Sequence, residues 1–219
     1  TLSSIPDISV SLLQSVGKSL ARFCKVMQGF DHPAARRDHR WNLATAGRHE
    51  KTIQWFGGGQ QQELLAWAFR GWRRAQNCFD SLHWQFVHGD AHDENWMVEH
   101  GRVTGLIDFG DCCYNPAICD LAICLAYLMM RGAEPLPIAV AVSEGYKEVR
   151  ALAADELAVL YPLICARLAV SLCVAMERKV ASGRTSFHLV SLTIEGVVSW
   201  ELPSPFDAAH RAALEHAKP

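Results

Sequence analysis

The sequence predicts an α+β chain, mostly helical, in which helices enclose one small antiparallel β-element. Three observations predict it. Apolar and aromatic residues recur at helical spacing through the first eighty residues, the period shortens to that of strands between Trp84 and Ile107, and helical spacing returns from Pro116 onward. With 219 residues at 50% hydrophobic content the chain can bury one sizeable core, so one globular domain is the default.

The elements follow in order. Leu12, Leu13, Val16, Leu20 and Phe23 lie at helical spacing, as do Leu64, Leu65, Trp67, Ala68, Phe69 and Trp72, and residues 1–80 read as a helical scaffold. Asp31-His32-Pro33 and Gly57-Gly58-Gly59 are breaker-rich joints between those helices. Trp84-Gln85-Phe86-Val87 is short and β-prone and runs into a polar loop. Trp96-Met97-Val98, the turn Glu99-His100-Gly101-Arg102 and Val103 to Ile107 read as a β-hairpin. Residues 81–115 thus hold the loops, and residues 116–219 read as a helical core: Ala117 to Met130, about Ile138 to Arg150, Asp155 to about Lys179, and a final helix starting near Phe206 or Asp207. There is no internal repeat.

Charge and cysteine usage narrow the function. The 21 Lys+Arg against 23 Asp+Glu leave a net charge of -2 without a basic tail or like-charge block, which argues against nucleic acid and anionic membrane as partners and for a small polar substrate. The eight cysteines form no C-x-x-C pair and several sit in apolar runs, a pattern that suits a reducing cytoplasm. The most apolar stretch, Leu157 to Met176, holds Pro162 and Arg167 and reads poorly as a membrane span, so the expectation is a soluble, cytoplasmic protein.

The chemistry concentrates at the hairpin and its flanks. His88-Gly89-Asp90-Ala91-His92-Asp93-Glu94-Asn95 is followed by Asp108-Phe109-Gly110. Phosphoryl transfer needs a carboxylate to orient and accept the proton of an attacking hydroxyl, and oxygen ligands to hold Mg²⁺ against phosphates. Asp90 suits the first role, and Asn95 and Asp108 the second. Singly, each has a bland reading, as a turn-capping aspartate, a turn asparagine and a strand-end carboxylate; the joint spacing is what carries the functional one. Asp111 either ligates a second metal or hydrogen-bonds backbone. His83, His88 and His92 could suggest zinc, but Gly89-Asp90 argues against the helix that would give an i, i+4 pair its meaning. His88 reads as a residue that packs and holds the loop, and His92 as one that braces the loop or touches substrate. Asp120 and Arg167 lie in apolar helices, where an unpaired charge would cost several kcal/mol, so each needs a partner, and an ion pair between them is one reading.

The Asp-to-Asn spacing and the Asp-Phe-Gly match the catalytic and metal loops of protein kinases, although Gly89 stands where those have arginine. His-Gly-Asp-Ala-His-Asp-Glu-Asn-Trp-Met-Val followed by Gly-Leu-Ile-Asp-Phe-Gly-Asp instead resembles the aminoglycoside phosphotransferase and choline kinase superfamily. Within it the chain is similar to the hydroxylysine kinase branch, through Phe30 to Pro33 with Arg37 and Trp41 to Leu43, Ile107 to Tyr114 with Leu121 to Tyr127, and Leu160 to Leu163 with Arg167 and Leu168. His92 departs from it, since asparagine is usual there and histidine is more typical of the antibiotic and choline enzymes.

The resemblance implies a protein-kinase-like fold, a nucleotide donor (ATP or GTP), Mg²⁺, and a small amine-containing acceptor phosphorylated on a hydroxyl. A hydroxylysine-like amino acid leads, with aminoglycoside, choline or homoserine-type acceptors as alternatives. It also implies that Asp120 accepts hydrogen bonds from the loop beneath His88 and Gly89. Such folds begin with a β-rich lobe carrying a phosphate-covering loop and a strand lysine. Gly57-Gly58-Gly59 has neither the preceding strand nor the downstream lysine, so the chain reads as the C-terminal lobe, with an N-terminal nucleotide lobe or a fused enzyme domain as the partner it would need. A reading from another class is a non-catalytic remnant that packs beside a fused enzyme.

Overall fold

Apolar residues at helical spacing do fold into helices, and the short β-prone runs pair as narrow ribbons between them. The computed structural model describes residues 1–132 and 134–182. The helix expected near Phe206 or Asp207 lies outside the described residues. Ser9 caps helix α1 (Val10–Val26), its side chain accepting from the Leu12 amide. A 3-10 stretch (Leu43–Trp55) and helix α2 (Gln60–Gln76) complete the N-terminal scaffold. Between them Gly57, Gly58 and Gly59 all take positive φ, so the run is the joint its composition suggested.

Helices α3 (Ile118–Met129), α4 (Pro135–Lys147) and α5 (Ala154–Ser182) follow. α1 packs on α4, while α2 and α3 pack on α5. Among the described residues one hydrophobic core runs through helices α1 to α5, from Leu12, Val16 and Leu20 through Phe69 to Leu121, Leu125, Leu163 and Val170. α5 is long and apolar enough to cross a membrane by length and composition, but 78% of its apolar window is buried against the rest of the protein, as in a core helix.

The strands decide where the loops go. β1 (Trp84–Val87) pairs antiparallel with β4 (Cys113–Pro116), in a register that sets Trp84 opposite Pro116 and Val87 opposite Cys113. β2 (Trp96–Glu99) and β3 (Arg102–Leu106) form the expected hairpin, with a bulge between Met97 and Val98 and positive φ at His100 and Gly101 in the turn. The expectation of a single antiparallel element is thereby corrected to two separate two-stranded ribbons. β4 escapes a sequence reading because Asn115-Pro116 has the composition of a turn; proline fits here because it ends the strand. The β1–β4 register brings the loop after Val87 and the loop before Cys113 to one edge of the protein.

Candidate active site

The loop that leaves β1 begins with backbone amides whose partner lies elsewhere in the chain. His88 N–H and Gly89 N–H donate to Asp120 Oδ2 and Oδ1, each at 2.8 Å. Asp120 sits in the first turn of α3, 3% exposed, where a helix N-terminus favours negative charge. Burial pushes its pKa up from the usual carboxylate value, and the two amides oppose that by hydrogen-bonding the anion. Both oxygens of Asp120 are thus taken by backbone, and the ion pair with Arg167 that its burial also allowed does not form.

His88 is fully buried and joins the two loops. Its Nδ1 accepts from the Asp90 amide at 3.2 Å and its Nε2 donates to the Ile107 carbonyl at 3.0 Å, which fixes the neutral Nε2–H tautomer. The Ile107 N–H in turn donates to the Asn95 carbonyl at 3.0 Å. Ile107 is therefore clasped from both sides by the first loop, and Asp108 is the next residue. Gly89, at φ 79°, lies against the same structure: a Cβ there would collide with the Asp111 carbonyl oxygen. That close approach accounts for glycine at a position where protein kinases carry arginine.

Asp90 is held on three sides. Arg167 Nη2 lies 2.6 Å from its Oδ1, His92 Nε2 lies 3.3 Å from its Oδ2, and Asn95 Nδ2 donates to its backbone carbonyl at 2.8 Å and to Oδ2 at 3.3 Å. Burial works against the carboxylate, but the His92 hydrogen bond and the Arg167 charge hold its pKa below the ordinary value. Burial likewise opposes charge on His92, and the hydrogen bonds to Asp90 and Asp93 outweigh it and raise the imidazole pKa to about 10. Its Nδ1 is 3.2 Å from the Glu94 amide and 3.8 Å from Asp93 Oδ1. The amide is its partner in the neutral ring and Asp93 its partner in the charged one. His92 thus braces the loop, with its ring 5.2 Å from that of Tyr127.

Asn95, with its amide nitrogen committed to Asp90, has its side-chain oxygen left to meet a cation. Asp108 is exposed and adopts left-handed backbone (φ 63°, ψ 71°), a conformation rare for a residue with a Cβ, and its Oδ1 accepts from Gly110 N–H at 3.2 Å. Asp111 Oδ1 is 3.6 Å from His39 Nδ1. Arg37 donates to the Cys112 carbonyl at 2.9 Å and to the Gly110 carbonyl, and so ties this second loop to the segment before the 3-10 stretch. Phe109 stacks edge-on against His88, with ring centroids 4.9 Å apart. An amide oxygen and two carboxylates on one pair of loops are hard oxygen donors of the type a magnesium-like cation takes, although among the described residues no three His, Cys, Asp or Glu side chains gather into a cluster that could hold a metal.

Sequence reasoning missed the partner of Asp90. The signal was an arginine inside the apolar run Leu157 to Met176, which demanded a counter-charge without naming it. Arg167 also donates to the Trp41 carbonyl and the Tyr127 hydroxyl, each at 3.3 Å, and its guanidinium lies over both aromatic rings. Arg37, Trp41 and Tyr127, noticed only through the resemblance, converge on the same place.

Comparison with known proteins shows what the chain as a whole is similar to. The profile described as "Phosphotransferase enzyme family" matches residues 4–154. The mouse (Mus musculus) hydroxylysine kinase is 27% identical over 182 residues, covering 77% of this chain and 48% of that protein. A homoserine kinase of Gluconobacter oxydans (strain 621H) is 36% identical over 173 residues, covering 76% of this chain and 53% of that protein. The chain thus spans about half the length of these relatives. An amicoumacin kinase solved in complex with AMP-PNP, Ca²⁺ and Ami superposes with a TM-score of 0.59 at 16% identity, covering 88% of this chain and 60% of that one, a likeness of fold.

Proposed function

Because this chain belongs to the phosphotransferase enzyme family, we propose that it carries the base and the metal ligands of a kinase that phosphorylates a hydroxyl of a small amine-containing molecule. One observation supports this above the others: a carboxylate kept anionic, Asp90, sits on a loop that Ile107 clasps to the loop bearing Asp108. Asp90 orients the acceptor hydroxyl and takes its proton as the acceptor oxygen bonds to the γ-phosphorus. The bond from that phosphorus to the β,γ-bridging oxygen breaks, and the nucleoside diphosphate leaves. Asn95 and Asp108, with Asp111, would hold Mg²⁺, which when bound neutralises charge on the phosphates. His88 and Asp120 keep the loop in place, and His92 braces Asp90 from the side opposite Arg167.

ATP or GTP is the proposed donor, and a hydroxylysine-like amino acid the leading acceptor, supported by the hydroxylysine kinase relative. The homoserine kinase relative keeps a homoserine-type acceptor as the alternative. The test is a kinase assay of the full native chain with ATP or GTP and Mg²⁺ against hydroxylysine, homoserine, choline and an aminoglycoside. It is repeated with Asp90→Asn, which keeps side-chain size and removes charge. Positioned acid–base groups contribute about 10² to 10⁴ in rate, and kcat should fall by that factor with the fold retained by circular dichroism. A loss below about tenfold would remove Asp90 from the base role. Absence of turnover with every pair would favour a binding or packing module.

A further inference from the structure

We propose that Arg167 is a positioning residue that fixes the rotation of the Asp90 carboxylate, and with it the direction in which that carboxylate meets the acceptor hydroxyl; the proposal rests on Asp90 being the base. Arg167 comes from α5, 77 residues along the chain from Asp90. Its guanidinium has no room to move. Besides the 2.6 Å contact to Asp90, it donates to the Trp41 carbonyl and the Tyr127 hydroxyl, with the Trp41 and Tyr127 rings 4.9 and 5.4 Å from its central carbon. Tyr127 is in turn held by Ser171 at 3.0 Å, and Ser171 donates to the Arg167 carbonyl at 3.0 Å. Tyr127 on α3, itself held by Ser171, and the Trp41 carbonyl therefore hold the fork independently of Asp90.

Stability alone gives no account of this arrangement. A buried ion pair roughly breaks even against apolar residues of the same size, and Arg167 is 1% exposed. Orientation does give one. The terminal torsion of an aspartate is broad and two-fold, so an untethered carboxylate would offer either oxygen at many angles. Arg167 makes the shortest contact to the carboxylate, 2.6 Å at Oδ1 against 3.3 Å from His92 and from Asn95 at Oδ2, so it is the anchor that sets the rotation.

The experiment compares Asp90→Asn, Arg167→Met, Arg167→Lys and the double variants in the full native chain. The assay uses ATP, Mg²⁺ and hydroxylysine, or homoserine where the acceptor panel prefers it. A misplaced reacting group costs about 10²-fold in rate, which is the kcat loss expected for Arg167→Met, with the KM for ATP within threefold of wild type. Arg167→Lys should recover part of that loss, leaving about a tenfold deficit, because an ammonium supplies charge without the fixed fork. Since Arg167 acts through Asp90, adding either Arg167 substitution to Asp90→Asn should slow it by less than about threefold. A merely structural role would instead lower kcat by the same factor in both backgrounds. If Arg167→Met fails to fold, Arg167→Lys and its double variant decide alone. Arg167→Lys with kcat within threefold of wild type, or additive losses in the double variants, overturns the proposal while a slow Asp90→Asn keeps the base reading. Asp90→Asn at near wild-type rate overturns both.

Discussion

Replacing Asp120 tests whether the loop that carries Asp90 is suspended from α3. Its two oxygens each accept a backbone amide at 2.8 Å inside a site only 3% exposed, so water cannot take over either bond when the carboxylate is removed. Hydrogen bonds to a charged group contribute about 1.5–3 kcal/mol each, so Asp120→Ala forfeits about 3–6 kcal/mol from the pair. The burial that raises the Asp120 pKa is a cost already present in the native protein and relieved by the substitution, which places the net loss at the lower end, about 3 kcal/mol. For a protein of this size each kcal/mol corresponds to about 2–4 °C, so Tm should fall by about 6–12 °C. Asp120→Asn should do no better, because its one oxygen satisfies one amide while its NH₂ turns a donor toward the other. Differential scanning fluorimetry gives the shift, and kcat should fall along with it as Asp90 loses its support. An Asp120→Asn protein that melts within about 2 °C of wild type, at wild-type kcat, would refute the reasoning.

Two further outcomes follow from titration and burial. The His92 pKa is raised from 6.5 to about 10, so the stability it contributes is complete below about pH 6.5 and is lost as pH climbs through about 10; His92→Gln should flatten that part of a Tm-against-pH curve between pH 6 and 10, and parallel curves would contradict the charged form. Of the eight thiols Cys78 is the exposed one, and burial pushes Cys112 and Cys113 up to about 12, so a thiol reagent at pH 8 should label Cys78 rapidly in the native protein and all eight after denaturation; fast native labelling of Cys112 would show the second loop to be open.

Local pattern made much of this protein legible. The all-round apolar run of α3 and the long one of α5 declared buried helices, and His100-Gly101 marked a turn between two β-prone runs. That Asp90, Asn95 and Asp108 fall on two adjoining loops was readable from short spacings around a hairpin. What stayed hidden depends on partners far along the chain. β4 is a strand because β1 lies beside it, and its own Cys113-Tyr114-Asn115-Pro116 carries no alternation to announce that. Arg167 needed a counter-charge that five helices could supply in many ways, and only the packing of α5 against α3 and the Trp41 segment selects Asp90 over Asp120.

The clasp around Ile107 bears on how such a site can diversify. With its amide on Asn95 and its carbonyl on His88, and with Gly89 pressed against Asp111, the loops that carry Asp90 and Asp108 are interlocked, and a shift in one is transmitted to the other. Neither can be reshaped to suit a new acceptor without disturbing the geometry that both share. New selectivity would therefore have to be written into the surrounding helical walls, where a substitution alters which molecule arrives and leaves untouched how it is met.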